Sequence, residues 1–89
     1  MRGRINKHSE RLVEAEVDGE AVVMDLASGD FYSLQDSALA IWRLVDGSRD
    51  GAAILAALAR EYQVAPKALA SDVDAFLDQA IAAGLLDPS

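Results

Sequence analysis

The chain has 89 residues, which is enough for one small folded domain. Its hydrophobic share of 52% is too high for an intrinsically disordered chain. It contains no cysteine, which excludes disulfides, thiol catalysis and cysteine-ligated zinc. Fifteen acidic residues against eight basic ones give a net charge of −7, which opposes binding to nucleic acid and favours a basic peptide as partner.

The two ends of the chain predict tails around one domain. Residues 1–11 begin with basic side chains and lack the apolar centre of a secretion signal, so we expect a flexible N-terminal tail. Residues 12–86 form the predicted domain, and residues 87–89 a C-terminal tail. No apolar run approaches the roughly 18 residues of a membrane span, so we expect no membrane contact. The absence of cysteine makes the cytoplasm the simplest location.

The first predicted strand covers residues 12–17 and ends at a tight turn. Its alternation places three apolar side chains on one face: Val13, Ala15 and Val17. Asp18-Gly19 then provides the positive backbone φ angles that a two-residue hairpin requires.

Two further strands complete a three-stranded antiparallel meander with one buried face. In residues 21–26, Val23 and Asp25 point away from the face shared by three other side chains: Val22, Met24 and Leu26. Ser28-Gly29 makes the second turn. In residues 30–34, Tyr32 and Leu34 point inward, whereas Phe31 and Ser33 point outward.

Three helices are predicted after the sheet, so the fold class is α+β with a winged-helix-like order of elements. Asp36 or Ser37 caps the first helix, Ser48 or Asp50 caps the second, and Pro66 lies in the first turn of the third. The buried stripe of the first helix is Ala38, Ile41, Trp42 and Val45, and that of the second is Ile54, Leu55, Leu58 and Tyr62. The stripe of the third is Leu69, Val73, Phe76, Leu77, Ala80 and Ile81. Gly84 ends the third helix, after which Leu85 and Leu86 fold back onto the core and the last residues form a loose end.

The sequence offers almost no catalytic chemistry. His8 is the only histidine and lies in the predicted tail, with no second metal ligand at a usable spacing. No serine has a histidine within the predicted domain to activate it, and the glycines form no phosphate-binding loop. We therefore expect a protein that is not an enzyme and has no cofactor or metal.

The order of these elements resembles the PqqD-like family, the recognition elements for precursors of ribosomally made, modified peptides. The matching strand residues are Val22-Val23-Met24-Asp25-Leu26 and Gly29-Asp30-Phe31-Tyr32-Ser33-Leu34. The matching helical residues are Ala38, Ile41-Trp42, Leu44, Asp46-Gly47, Ile54, Leu58, Tyr62, Asp72-Val73, Phe76-Leu77 and Gly84-Leu85-Leu86. The segment around Gly29 and Phe31 is more similar to the stand-alone proteins of lasso-peptide clusters, or to family members of unassigned pathway, than to the pyrroloquinoline-quinone branch. That branch usually has a proline-containing segment there.

The resemblance implies a non-catalytic protein that binds the leader of a precursor peptide and presents it to a modifying enzyme. The leader would add a strand to the third strand, lie against the third helix, and place a basic side chain near Asp72. The residues that the resemblance assigns to this site are Asp30, Phe31, Tyr32, Ser33, Leu34, Asp72, Val73, Phe76, Gln79 and Ala80. The enzyme would be a leader peptidase, a cyclase or a radical enzyme.

Two other functions stay open from the sequence alone. A winged-helix DNA-binding regulator would need a basic recognition helix, for which the second helix offers only Arg49 and Arg60 and the third only Lys67. A structural subunit of an enzyme complex needs no peptide ligand. The chain would be a monomer or a homodimer, because an unpaired strand edge is able to pair with a second copy.

Overall fold

A three-stranded antiparallel sheet and three helices build residues 4–88, the part of the chain that this computed structural model describes. The strands are β1 (Ile5–Lys7), β2 (Leu12–Val17), β3 (Glu20–Asp25), β4 (Phe31–Gln35) and β5 (Leu86–Pro88). The helices are α1 (Asp36–Leu44), α2 (Gly51–Tyr62) and α3 (Ala70–Ala82). The order β2-β3-β4 and the helices after it confirm the predicted α+β meander.

The hairpin between β2 and β3 turns where the sequence predicts. Asp18 has φ 53° and Gly19 has φ 77°, and Val17 faces Glu20 directly across the turn. Gly29, with φ 78°, lies in the second turn and donates its N–H to the carbonyl of Asp25. These left-handed positions fix the register of the sheet.

The buried face of the sheet carries Ala21, Val23, Tyr32 and Leu34. Val23 is fully buried, whereas Val17 is 66% exposed and Val13 51% exposed. The apolar faces of β2 and β3 that contain Val13 and Val22 therefore point away from the helices. On β2 the inward positions belong to Glu14 and Glu16, which bond to side chains of α1.

The helices keep most of their predicted apolar stripes, but three of the terminal details are wrong. The N-cap of α1 is Gln35, which makes no capping bond, and Asp36 has φ 54°. Asp50 caps α2 as predicted, by accepting the N–H of Ala53 at 2.8 Å. Pro66 begins a separate 3₁₀ turn, because α3 starts only at Ala70. Tyr62 is 41% exposed and does not belong to the core.

The predicted tails are wrong for most of their residues. β1 pairs with β5 in antiparallel register, from Ile5 opposite Pro88 to Lys7 opposite Leu86. Ile5 is fully buried and also accepts the N–H of Gly47 at 3.1 Å, and a 3₁₀ turn follows at Ser9–Arg11. A buried isoleucine in a two-stranded ladder ties both ends of the chain to the body of the fold. Residues 1–3 and 89 of those predicted tails lie outside the described residues.

The core lies between the inner face of the sheet and the three helices. Its largest fully buried side chains are Trp42, Ile5, Ile41, Ile54, Leu58, Leu77, Leu86, Val23 and Val73. Leu85 and Leu86 fold back after Gly84 as predicted and are almost completely buried. Among the described helices, none is both long and apolar enough to cross a membrane.

Candidate binding groove

The strand β4 is an edge of the three-stranded sheet. It pairs with β3 along its whole length, and no other strand of residues 4–88 pairs with its second side. An edge strand leaves every second residue with a backbone N–H and C=O that the sheet does not use. This is where a further strand is able to add.

The register identifies which backbone groups are open. Asp25 donates its N–H to the carbonyl of Asp30 at 2.9 Å, so this directly opposed pair is a bonded pair of the ladder. Bonded and non-bonded pairs alternate in an antiparallel sheet, which turns the backbone of Tyr32 and Leu34 toward β3. Phe31 and Ser33 therefore point both their N–H and their C=O groups away from the sheet. Gln35 adds only its N–H, because it is the N-cap of α1 and its C=O accepts the first bond of that helix. The two-residue hairpin at Asp18 and Gly19 requires the same alternation on β3.

The open edge faces a groove of about 480 Å³ whose opposite wall is α3. Small side chains form much of that wall, with Ala80 and Ala83 between the larger Phe76 and Leu85. The lining residues are Phe31, Tyr32, Ser33, Leu34, Ala38, Phe76, Gln79, Ala80, Ala83 and Leu85, none of which is charged. This combination accommodates an extended chain that places apolar side chains against α3.

Most of the predicted site residues line this groove, and three do not. Asp30 uses its backbone carbonyl for Asp25 and donates its N–H to the Ser28 hydroxyl at 3.2 Å, so it adds nothing to the open edge. Val73 is 2% exposed and belongs to the core. Asp72 is exposed and lies one helical turn before Phe76, beyond the end of the groove.

The groove also contains residues that the sequence analysis missed. Ala38, Ala83 and Leu85 complete the walls. The spacing of Phe76, Ala80 and Ala83 is the one sequence feature that indicates Ala83 as a groove residue, because side chains three and four residues apart share a helix face. An alanine in such a stripe has no distinguishing feature in a sequence.

An ion pair between a buried carboxylate and a half-exposed arginine holds the loop before β4. The side chain of Asp25 is almost fully buried, accepts the N–H of Ala27 at 2.9 Å, and pairs with Arg11 at 3.2 Å. The backbone N–H of Ala27 lowers the pKa of the Asp25 carboxyl most, and the Arg11 guanidinium lowers it further. Leu26 donates its N–H to the carbonyl of Arg11 at 2.7 Å, so the same arginine contacts two adjacent residues at the β3 end of the loop.

The other edge of the sheet, β2, has a different chemistry. Glu14 accepts the indole N–H of Trp42, and Glu16 pairs with Arg43. The hydrogen bond from Arg43 is the main reason that the pKa of Glu16 is lowered. Inward-pointing charged side chains discourage strand pairing at an edge. Of the two edges, β4 is therefore the one open to a further strand.

The described residues contain no group of three or more histidine, cysteine or acidic side chains that could hold a metal ion. His8 follows β1 and donates its backbone N–H to the carbonyl of Leu85 at 3.2 Å. The site is a binding surface made of backbone groups and uncharged side chains.

The sequence profile of the family described as coenzyme PQQ synthesis protein D (PqqD) matches residues 20–86. The chain belongs to the PqqD family. The match covers β3, β4, all three helices and the start of β5, so it includes the whole groove. The chain has no significant match among curated proteins.

Two solved structures are similar to this PqqD-family chain. TbiB1 in complex with the TbiA(beta) leader peptide has 28% sequence identity and a TM-score of 0.80, with 93% of this chain and 96% of that chain covered. Lasso peptide synthetase B1 complexed with the leader peptide has 22% identity and a TM-score of 0.80, with 97% and 100% covered. The second likeness is one of fold.

Proposed function

We propose that this chain is a non-catalytic protein that binds the leader segment of a precursor peptide and presents it to a modifying enzyme. The leader adds as a fourth strand to β4 and packs its inward side chains against α3. The observation that carries the proposal is the open backbone of Phe31 and Ser33 beside an uncharged groove. Strand addition obtains affinity from main-chain hydrogen bonds and selectivity from pockets for alternate side chains.

The groove fits an apolar peptide segment with a basic flank. Its uncharged lining accepts apolar side chains, while the net charge of the protein is −7. Asp72 stands one helical turn before Phe76 on the same side of α3, where it would meet a Lys or Arg of the leader. The acidic protein as a whole would accelerate the approach of a basic peptide.

A lasso-peptide leader is the class of peptide that we propose. The structural neighbour at 28% identity, TbiB1, carries the TbiA(beta) leader peptide, and the other neighbour is a lasso peptide synthetase B1 with its leader peptide. The groove of this chain lies at the edge of an equivalent meander. A leader peptidase or cyclase of the same biosynthetic gene cluster would then be the enzyme that receives the peptide.

The helix charges disfavour the DNA-binding alternative. From Ala70 to Ala82, α3 contains three aspartates and no Lys or Arg. A helix placed in the DNA major groove needs cations near the phosphates, since these contacts supply most of the non-specific affinity. An acidic α3 beside an uncharged groove suits a peptide.

A direct binding measurement tests the proposal. A fluorescein-labelled leader from the precursor peptide encoded beside this gene is titrated with the protein, and fluorescence anisotropy is followed. We expect saturable binding, and weaker binding of a leader that is N-methylated at alternate residues of the bound segment, which removes main-chain donors. Absence of binding at tens of micromolar of folded protein would overturn the proposal.

A further inference from the structure

A second exposed surface with many apolar side chains lies on the other side of the sheet. The side of the three-stranded sheet that faces away from the helices is here called the outer face. Its apolar side chains are Val13, Ala15, Val17, Val22, Met24 and Phe31, with Leu26 directly after β3, and its polar ones are Glu20, Ser33 and Gln35. Among the described residues, seven large hydrophobic side chains are exposed, and five of them lie on this face. Single exposed apolar residues are ordinary, but a contiguous patch marks an interaction site.

The outer face is continuous across the strands. Val13, Met24 and Phe31 stand directly opposite one another on β2, β3 and β4. Phe31 is 69% exposed, the most exposed of the large hydrophobics, and its strand is also the one with the open edge. The outer face therefore reaches the site proposed for the leader peptide.

The charges around this face have one sign. Between residues 12 and 35 the sequence contains six acidic residues and no Lys or Arg. Glu14, Glu16 and Asp25 are engaged by other parts of the fold, which leaves Asp18, Glu20 and Asp30 at the borders of the outer face. Glu20 accepts bonds from the neutral Ser33 hydroxyl and Gln35 amide, so these contacts leave its charge uncompensated.

A hollow of about 330 Å³ lies at the hairpin end of the face. Ala15, Val17 and Val22 form its apolar lining, and Asp18 and Glu20 stand at its border. Such a hollow fits an apolar side chain that is followed by a Lys or Arg. The acidic border would repel an anionic membrane surface. It would also repel a second copy of this chain, since each copy has a net charge of −7.

We infer that the outer face is the docking surface for the modifying enzyme. The enzyme would contact it with an apolar patch of its own that is surrounded by basic residues. The inference rests in part on the proposed function, because a leader strand added to β4 would continue the sheet. The outward side chains of the leader would lie beside Phe31 and Ser33. The enzyme would then contact the protein and the leader on one surface. Enzyme and leader then increase each other's affinity by the same factor.

The test uses Val17→Thr/Val22→Thr, which removes apolar surface while keeping branched side chains suited to strands. The modifying enzyme of the same gene cluster is the probe, titrated against the full-length protein with and without the leader. We expect the double variant to bind the leader normally and to lose about tenfold or more in enzyme affinity. Val64→Thr is the matched control, since Val64 is 43% exposed, close to the 40% of Val22, but lies outside the sheet.

A charge variant examines the acidic border of the outer face separately. Asp18→Asn keeps a residue that tolerates the positive φ of the hairpin turn and removes one negative charge. We expect a severalfold loss of enzyme affinity, and a smaller difference from wild type at 500 mM NaCl than at 50 mM.

Two results would overturn the inference. One is unchanged enzyme affinity of the folded double variant. The other is that the wild type forms a dimer in sedimentation velocity and the double variant does not. The outer face would then bind a second copy of the chain and not the enzyme. If the leader fails to bind the wild type, the proposed function fails, and the enzyme affinities measured without leader still decide the role of the outer face.

Discussion

The indole Nε1 of Trp42 donates a hydrogen bond to Oε1 of Glu14 at 3.1 Å, joining the buried centre of α1 to the edge strand β2. Lys7 lies 4.6 Å from the centre of the indole ring and 3.9 Å from the same carboxylate oxygen. A carboxylate is therefore the inward residue at this position of β2. Because side chains alternate along a strand, Val13, Ala15 and Val17 then face outward.

Removal of the Glu14 acceptor should destabilise the fold. In Glu14→Ala the indole N–H of Trp42, whose residue is 1% exposed, loses its partner. An unsatisfied buried donor costs about 1–3 kcal/mol, so we expect a loss of this size in the free energy of unfolding. Urea denaturation followed by tryptophan fluorescence measures it. Glu14→Gln retains the acceptor and should lose less than about 1 kcal/mol; equal losses in both variants would argue against the hydrogen bond.

Proline at two neighbouring positions of β4 should have two different effects, one on peptide binding and one on stability. The N–H of Ser33 points away from the sheet, so Ser33→Pro should reduce leader affinity by about tenfold or more while the fold persists. The N–H of Tyr32 points toward β3, and Tyr32→Pro should instead lower the melting temperature. Anisotropy and thermal denaturation are measured on both variants. If Ser33→Pro binds the leader normally, addition to β4 is wrong.

A larger side chain at Ala83 should obstruct the groove. Ala83 is partly buried at the end of α3 and lines the groove, so Ala83→Leu places three more carbons where the leader would lie. We expect leader affinity to fall by about tenfold or more, with little change in unfolding. Ala56→Leu, at an exposed position of α2, is the control and should bind as the wild type does. Equal affinities in the two variants would remove Ala83 from the site.

Acid should weaken the protein partly through Asp25. Hydrogen bonds from Ala27 and Arg11 lower the pKa of this carboxyl in the folded state, so the unfolded state takes up its proton first as pH falls. The resulting stability is fully present above the unfolded pKa of about 3.9 and is lost as pH falls through the lower folded pKa. In Asp25→Asn we expect a lower melting temperature at pH 7 and a smaller loss on acidification. Parallel pH profiles of the two proteins would contradict this assignment.

Glycine at position 63 should stabilise the protein. Gln63 ends α2 with φ 58°, a left-handed conformation that costs roughly 1–2 kcal/mol for residues with a Cβ. Gln63→Gly relieves this strain but makes the unfolded chain more flexible, so we expect a net gain of about 0.5–1 kcal/mol. Urea denaturation compares it with Gln63→Ala, which should show no gain. A glycine variant less stable than wild type would contradict the expectation.

Much of the fold follows from local patterns in the sequence. Asp18-Gly19 and the alternation around it specify a hairpin, and the stripes containing Trp42, Leu58 and Leu77 specify three helices. What local patterns leave open is which side of a two-sided sheet is buried. Val13 and Val22 are more apolar than Glu14, yet Glu14 faces inward because Trp42 needs an acceptor there.

The end segments and part of the groove depend on long-range contacts. The short segment around Ile5 has no periodicity of its own and becomes a strand only by pairing with residues 86–88. In the groove, Phe31, Phe76 and Gln79 were predicted through the family resemblance. Ala38 and Ala83 were missed because an alanine that lines a groove and one that packs in a core look the same in a sequence.

The unequal edges of the sheet also limit how copies of this protein could polymerise. An endless ribbon would require β4 of one molecule to pair with β2 of the next, and the carboxylates of Glu14 and Glu16 oppose that contact. Two β4 edges could pair only with each other, which closes a symmetric pair and leaves no growing end. The sheet therefore disfavours continued end-to-end growth even when no leader covers β4.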